Sequence, residues 1–168
     1  MSVPAWAQVS TERRAHIARV VALLTSWADD MGVEASERDR WLRAGWLHDA
    51  LRDAALGDAR AHGPAAADRA AAAGEHDRGV LDAVRYHTIG WADWDDVGRM
   101  LYLADYLEPG RDGSTADADR DKLARWVPTQ RDAVLREVAR RRIDWILRSG
   151  WALPAETVAF WNSLVARA

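Results

Sequence analysis

The stretch Ala44-Gly45-Trp46-Leu47-His48-Asp49 sets the reading of this chain. Trp41, Ala44, His48, Leu51 and Ala55 recur at three- and four-residue spacing, so one apolar helical stripe carries a histidine inward. Asp49 follows about 100° round the same helix, and the doublet therefore addresses two directions from one rigid element. A carboxylate buried beside an imidazole is costly unless a partner compensates it, and a bound cation is a common partner. The doublet reads as the centre of a metal site.

Working outward, further ligand types occur at His16, His62, His87 and Asp105, each in its own segment. The stripe His16, Val20, Leu24, Trp27, Met31 turns His16 inward on a helix predicted from Thr11 to Asp30, with Ser10 as its cap. Ser36 with Asp39 predicts a capping-box start for the helix that carries the doublet. Gly63-Pro64 is read as a break, and Ala65 to Ala73 as a short helix after it. A helix from about Asp77 to Thr88 buries Val80, Val84 and His87. Another, from Trp94 to Leu107, aligns Trp94, Gly98, Leu101, Asp105 and Glu108 and stops at Pro109-Gly110. A polar loop is expected over 112–121. A long helix from Thr129 to Ser149 follows, with Thr129 and Asp132 as capping pair and Gly150 as stop, and Pro154 opens the last helix. No alternating run argues for a sheet, so the fold class is all-α.

The series His, His-Asp, His, His, Asp resembles the HD superfamily of metal-dependent phosphohydrolases, in its version with enough histidines for two metals. Arg85-Tyr86-His87-Thr88-Ile89-Gly90 and Tyr102-Leu103-Ala104-Asp105-Tyr106-Leu107-Glu108-Pro109-Gly110-Arg111 resemble the signature of the YqeK-type symmetrical diadenosine tetraphosphate hydrolases. Leu153-Pro154-Ala155-Glu156-Thr157 and Trp161-Asn162 resemble the ending of that family. The departures are Arg52 where such enzymes often carry lysine, and Trp46 where a second leucine is usual. Neither removes a ligand.

The resemblance implies a single HD-domain helical bundle over 1–168, with a core about 10–110, C-terminal helices about 121–168 and a dinuclear site at its centre. It implies metal one on His16, His48, Asp49 and Asp105, and metal two on Asp49, His62 and His87, with Asp49 bridging. It further implies hydrolysis of diadenosine tetraphosphate to two ADP by a hydroxide held between the metals. The catalytic residues would be Asp49 and Arg52, and the substrate contacts Arg52, Arg85, Thr88 and Arg111. Glu108 would support the ligands. Alternatives are another HD-type nucleotide phosphohydrolase, or a non-catalytic nucleotide-binding module. Nitrogen and oxygen ligands suit Fe, Mn, Co, Ni or Zn, and affinity alone does not choose among them; the expectation drawn with the resemblance is two divalent ions, Fe first.

Chemistry also gives each residue a plainer reading. Arg52 could pair with Asp49 or Asp53 instead of a phosphate. The second doublet, His76-Asp77, follows Gly74-Glu75 in a polar stretch, where Asp77 reads as a helix cap and His76 as exposed. Trp91 and Trp94 read as core. Arg140-Arg141-Arg142, beside Glu137 and Asp144, reads as a solvated helix face.

Composition bounds the rest. The 168 residues are 49% hydrophobic, enough for one domain with a sizeable core. Formal net charge is −3, so no global basic field attracts nucleic acid, although local arginines can hold an anionic nucleotide. There is no cysteine, which excludes thiolate ligands and a cysteine nucleophile. No stretch approaches the roughly 18 apolar residues of a membrane span, and the N-terminus lacks a signal pattern. A cytoplasmic location is expected, and a homodimer stays open.

Overall fold

The computed structural model describes residues 2–58, 60–110 and 115–166, with the side chains of 115–117 left aside. Among them are seven helices and no strand: α1 (Thr11–Asp30), α2 (Ala35–Leu47), α3 (His62–Ala72), α4 (Arg78–Tyr86), α5 (Asp96–Leu107), α6 (Thr115–Arg148) and α7 (Ala155–Val165). The all-α expectation holds.

Helix α5 forms the axis. Val97, Gly98, Met100 to Asp105 and Leu107 are buried, so the helix is covered all round, by α1, α2, α4 and α6. Trp94, Tyr102 and Phe160 close one end in edge and tilted contacts with centroids 5.2–5.6 Å apart. The Thr157 hydroxyl donates to Ile89 O at 2.7 Å and fastens α7 beside the end of α4. Trp94 is therefore core as expected, while Trp91 stacks on Tyr86 at 4.4 Å.

Several boundaries differ from the sequence reading. Helix α2 is entered from Glu34, whose side chain makes no capping bond, so Ser36 is not its cap. The helix ends at Leu47 and the chain tightens: Ala50 N donates to Leu47 O and Arg52 N to Asp49 O, three residues back. The inward stripe thus stops at Leu51, and Ala55 is exposed. Gly63-Pro64 is no break. It forms the first turn of α3, where proline's missing N–H costs no hydrogen bond, and the helix begins at His62.

The expected loop over 112–121 is helical from Thr115, with 111–114 outside the described residues. Burial of Leu123 and Val127 recruits this polar stretch into a helix. Thr129 and Asp132 start nothing, because α6 is already running there and only kinks, at Gln130 (φ −137°, ψ 36°) just after Pro128. Pro128 has no N–H for Ala124 O, and the Trp27 indole supplies the missing donor at 3.0 Å. The predicted stop at Gly150 holds: at φ +71° it lets Trp151 N reach Ile146 O and Gly150 N reach Leu147 O.

No helix among the described residues is long and apolar enough to cross a membrane.

Candidate metal centre

Six side chains from five helices and their ends meet inside the molecule. His16 (α1), His48 and Asp49 (end of α2), His62 (start of α3), His87 (end of α4) and Asp105 (α5) are all buried, with His48 wholly enclosed. Two sets have ligand atoms within 4.8 Å of one another: His16, His48 and Asp49, and Asp49, His62 and His87. Asp49 belongs to both. Asp105 adjoins the first set, its Oδ1 3.3 Å from His16 Nε2.

Helix ends do the placing. His48 and His87 each follow the last residue of a helix, where backbone carbonyls lack intrahelical donors. His48 Nδ1 lies 2.8 Å from Gly45 O and His87 Nδ1 2.8 Å from Val84 O. A carbonyl only accepts, so Nδ1 of each ring carries the proton and Nε2 keeps its lone pair. Gly63 permits the second set to close: a Cβ there would sit 2.8 Å from Arg85 O and 3.0 Å from Val84 O, so only glycine lets α3 begin against the end of α4. That approach brings His62 Nε2 to 3.1 Å from His87 Nε2.

The donor set fits metal ions. Asp49 Oδ1 faces His62 Nε2 at 3.2 Å and His87 Nε2 at 3.4 Å, while its Oδ2 faces His16 Nε2 at 3.6 Å. His16 Nδ1 donates to Glu108 Oε1 at 3.0 Å, which aims Nε2 at His48 Nε2, 3.4 Å away. With both Nδ1 protons committed, that nitrogen pair attracts only through a cation between them, a proton or a metal. The imidazoles and carboxylates present are ligands for Fe, Mn, Co, Ni or Zn.

Electrostatics points the same way. Burial depresses the His16 imidazole, yet hydrogen bonds to Asp105 and Glu108 outweigh it and raise it to about 9. Burial lowers His48 to about 4. Asp49 stays well below the usual carboxylate range although burial opposes it, because His48, His62 and His87 surround it. The cavity wants positive charge beside its carboxylates and tolerates little of it on His48.

Each of the three buried carboxylates also has one guanidinium. Arg13 Nη1 donates to Asp49 Oδ2 at 2.7 Å, Arg19 Nε to Glu108 Oε2 at 2.5 Å, and Arg142 Nη2 to Asp105 Oδ2 at 2.8 Å. Sequence reasoning missed all three. Arg13 and Arg19 lie three residues either side of His16, so the shared face of α1 could have revealed them. Arg142 carried no such signal, and its reading as a solvated helix face is corrected: the side chain is 15% exposed and lies over the rings of Tyr102 and Tyr106. Its neighbours Arg140 and Arg141 do lie on the surface side, paired with Glu137.

The predicted substrate contacts separate. Arg52 Nη1 lies 3.5 Å from His62 Nδ1, at the edge of the second set, and the guanidinium on Asp49 is Arg13's. Asp53 accepts from Ser10 N at the start of α1. Thr88 joins the site, its hydroxyl 3.3 Å from His87 Nε2. Arg85 pairs with Asp68 on α3 and would have to leave it to meet a phosphate. Arg111 lies outside the described residues. His76 is exposed, and Asp77 caps α4 by accepting from Val80 N, as expected.

Comparison with known families then decides the lineage. The HD-domain family matches residues 13–110, from Arg13 through all six clustered side chains to Gly110. The chain belongs to the HD-domain family. This HD domain is similar to the symmetrical bis(5'-nucleosyl)-tetraphosphatase of Bacillus subtilis (strain 168), 28% identical over 93 residues, which cover 55% of this chain and 48% of that protein. It is similar also to the symmetrical bis(5'-nucleosyl)-tetraphosphatase of Staphylococcus aureus (strain NCTC 8325 / PS 47), 28% identical over 102 residues, which cover 58% and 50%. The chain thus spans about half the length of the curated relatives it matches. Its fold is that of a crystal structure described as a predicted HD superfamily hydrolase involved in NAD metabolism from Clostridium acetobutylicum. The TM-score is 0.77 at 20% identity, over 95% of this chain and 92% of that one.

Proposed function

We propose that this HD domain is a metal-dependent phosphohydrolase that splits diadenosine tetraphosphate at its central bridge into two ADP. The observation that carries the reading is the pair of buried ligand sets sharing Asp49. His16, His48, Asp49 and Asp105 would hold one metal, and Asp49, His62 and His87 the other. When bound, two divalent ions, iron first and Mn, Co, Ni or Zn as alternatives, would make a water nucleophilic near neutral pH and neutralise phosphoryl charge.

The protein's own part is placement. Carbonyl bonds to Nδ1 lock the His48 and His87 rings with Nε2 turned to the cluster, and Glu108 does the same for His16. Arg52, beside the second set, would oppose charge developing on a central phosphate, and the Thr88 hydroxyl would offer a neutral donor to an adjacent oxygen. No side-chain nucleophile is needed. The choice of the central bridge is supported by the tetraphosphatase relatives.

Product analysis tests it. Early time points with diadenosine tetraphosphate and added Fe, Mn or Co are expected to contain ADP alone. ATP with AMP would mean attack nearer one end and would overturn the substrate assignment. The likeness to the structure described for NAD metabolism favours a second reading, another HD-type nucleotide phosphohydrolase. That reading gains if the dinucleotide is untouched while a different nucleotide is cleaved. Nucleotide binding without turnover would instead mark a regulatory module.

A further inference from the structure

Arg142 carries helix α6 to the ligand cluster. Arg142 Nη2 donates to Asp105 Oδ2 at 2.8 Å and approaches Tyr102 O at 3.4 Å, while Nη1 approaches Thr88 O at 3.4 Å. The guanidinium carbon lies 4.3 Å from the Tyr102 ring centroid and 5.3 Å from that of Tyr106, so two aromatic faces hold it from the side. Its Nε is buried and meets no acceptor among the described residues.

Stability alone accounts poorly for such an arrangement. Desolvating a guanidinium and a carboxylate costs about as much as their attraction returns, and an apolar pair of similar volume often serves a core as well. Orientation accounts for it better. Arg142 takes one oxygen of Asp105, which leaves Oδ1 facing His16 Nε2 at 3.3 Å. The same guanidinium reaches the Thr88 carbonyl, next to His87, so the fork spans from the Asp105 side of the cluster to the His87 side.

We infer that Arg142 is a positioning residue that fixes Asp105 with a single oxygen directed into the cluster, making α6 part of the metal centre. Arg142 lies outside residues 13–110, the stretch that carries the family match. The inference rests on the two-metal reading above, with Asp105 as a ligand.

The test is the Mn2+ affinity of the full chain after metal stripping, followed by the electron paramagnetic resonance signal of free Mn2+. Arg142→Met keeps the length of the side chain and removes the fork. It is expected to bind Mn2+ about 10–100-fold more weakly, the usual effect of removing a group that orients a ligand. Within an Asp105→Asn background the same change should cost no further affinity, because the two residues act as one unit. Arg142→Lys should recover part of the loss, and the control Arg141→Met, on the surface side of α6, should bind Mn2+ as wild type does. Mn2+ binding by a folded Arg142→Met within threefold of wild type, or losses that add in the double variant, overturns the inference. Where Arg142→Met does not fold, Arg142→Lys decides: wild-type affinity there leaves Arg142 a structural role only, and a loss of about three- to tenfold supports positioning. If wild type itself binds no Mn2+, the metal reading fails rather than the role of Arg142.

Discussion

The same dipeptide occurs twice in this chain and does two unrelated things. His48-Asp49 is enclosed where α2 ends against α1, α4 and α5, with His48 Nδ1 on a carbonyl and Asp49 among three imidazoles and the Arg13 guanidinium. His76-Asp77 lies between α3 and α4, with His76 in solvent and Asp77 turned to the backbone it caps and to Arg40, which it meets at 2.7 Å. Arg40 is shared with Glu37 and Asp95, so Asp77 sits in a surface network that ties α2 to α4 and the start of α5. The difference teaches that a His-Asp pair becomes a candidate metal site through what surrounds it. The inward carboxylate gathers imidazoles from three other helices in addition to a guanidinium, whereas the outward one finds only guanidinium and backbone N–H groups.

The largest effect should come from Asp49→Ala. A carboxylate common to both ligand sets cannot be lost without damage to each, so the purified variant should lose most of the one to two equivalents of metal expected for wild type, and its turnover with it. Elemental analysis showing unchanged metal would break the contrast between the doublets. Arg52→Ala ranks second: bound metal should stay, while the rate falls about 10²–10³-fold, the usual cost of one well-placed donor to developing charge. Arg52→Lys should recover much of that. An unimpaired Arg52→Ala enzyme would return Arg52 to a purely structural role.

Asp77→Asn comes third and is a matter of stability and pH. Its hydrogen bonds with Arg40 hold the Asp77 carboxyl at about 2, below the ordinary 3.8. A depressed acid stabilises the fold above the unfolded value and loses that contribution as pH falls from 3.8 toward 2. At neutral pH the shift corresponds to about 1–2 kcal/mol once the 23% exposure of the side chain is discounted. Asparagine still caps helices, so Asp77→Asn isolates the charge. Urea titrations should show the deficit at pH 7 and converge with wild type near pH 2. A deficit independent of pH would locate the effect in packing. The smallest effect should be that of His76→Ala, with metal content and rate near wild type. Metal loss in that variant would mean that the wrong doublet had been chosen.

Legibility followed periodicity. Residues 11–30 read as one helix because apolar residues recur at helical spacing and Ser10 caps them, and the structure agrees to the residue. The inward placement of His16, His87 and Asp105 was visible for the same reason. Boundaries governed by contact were not: His62 opens α3 only because Gly63 can press on α4, and 115–121 are helical although their composition is polar.

The sequence by itself determined the all-α class, the order of the candidate ligands along the chain, and that His48 turns inward while Asp77 caps a helix, since helical spacing and chain-local caps are properties of neighbouring residues. Tertiary structure alone decided which arginine meets which carboxylate. Arg142 is 37 positions from Asp105 and Arg13 is 36 from Asp49, and no local pattern records a pairing that exists only because α6 and α1 pack where they do.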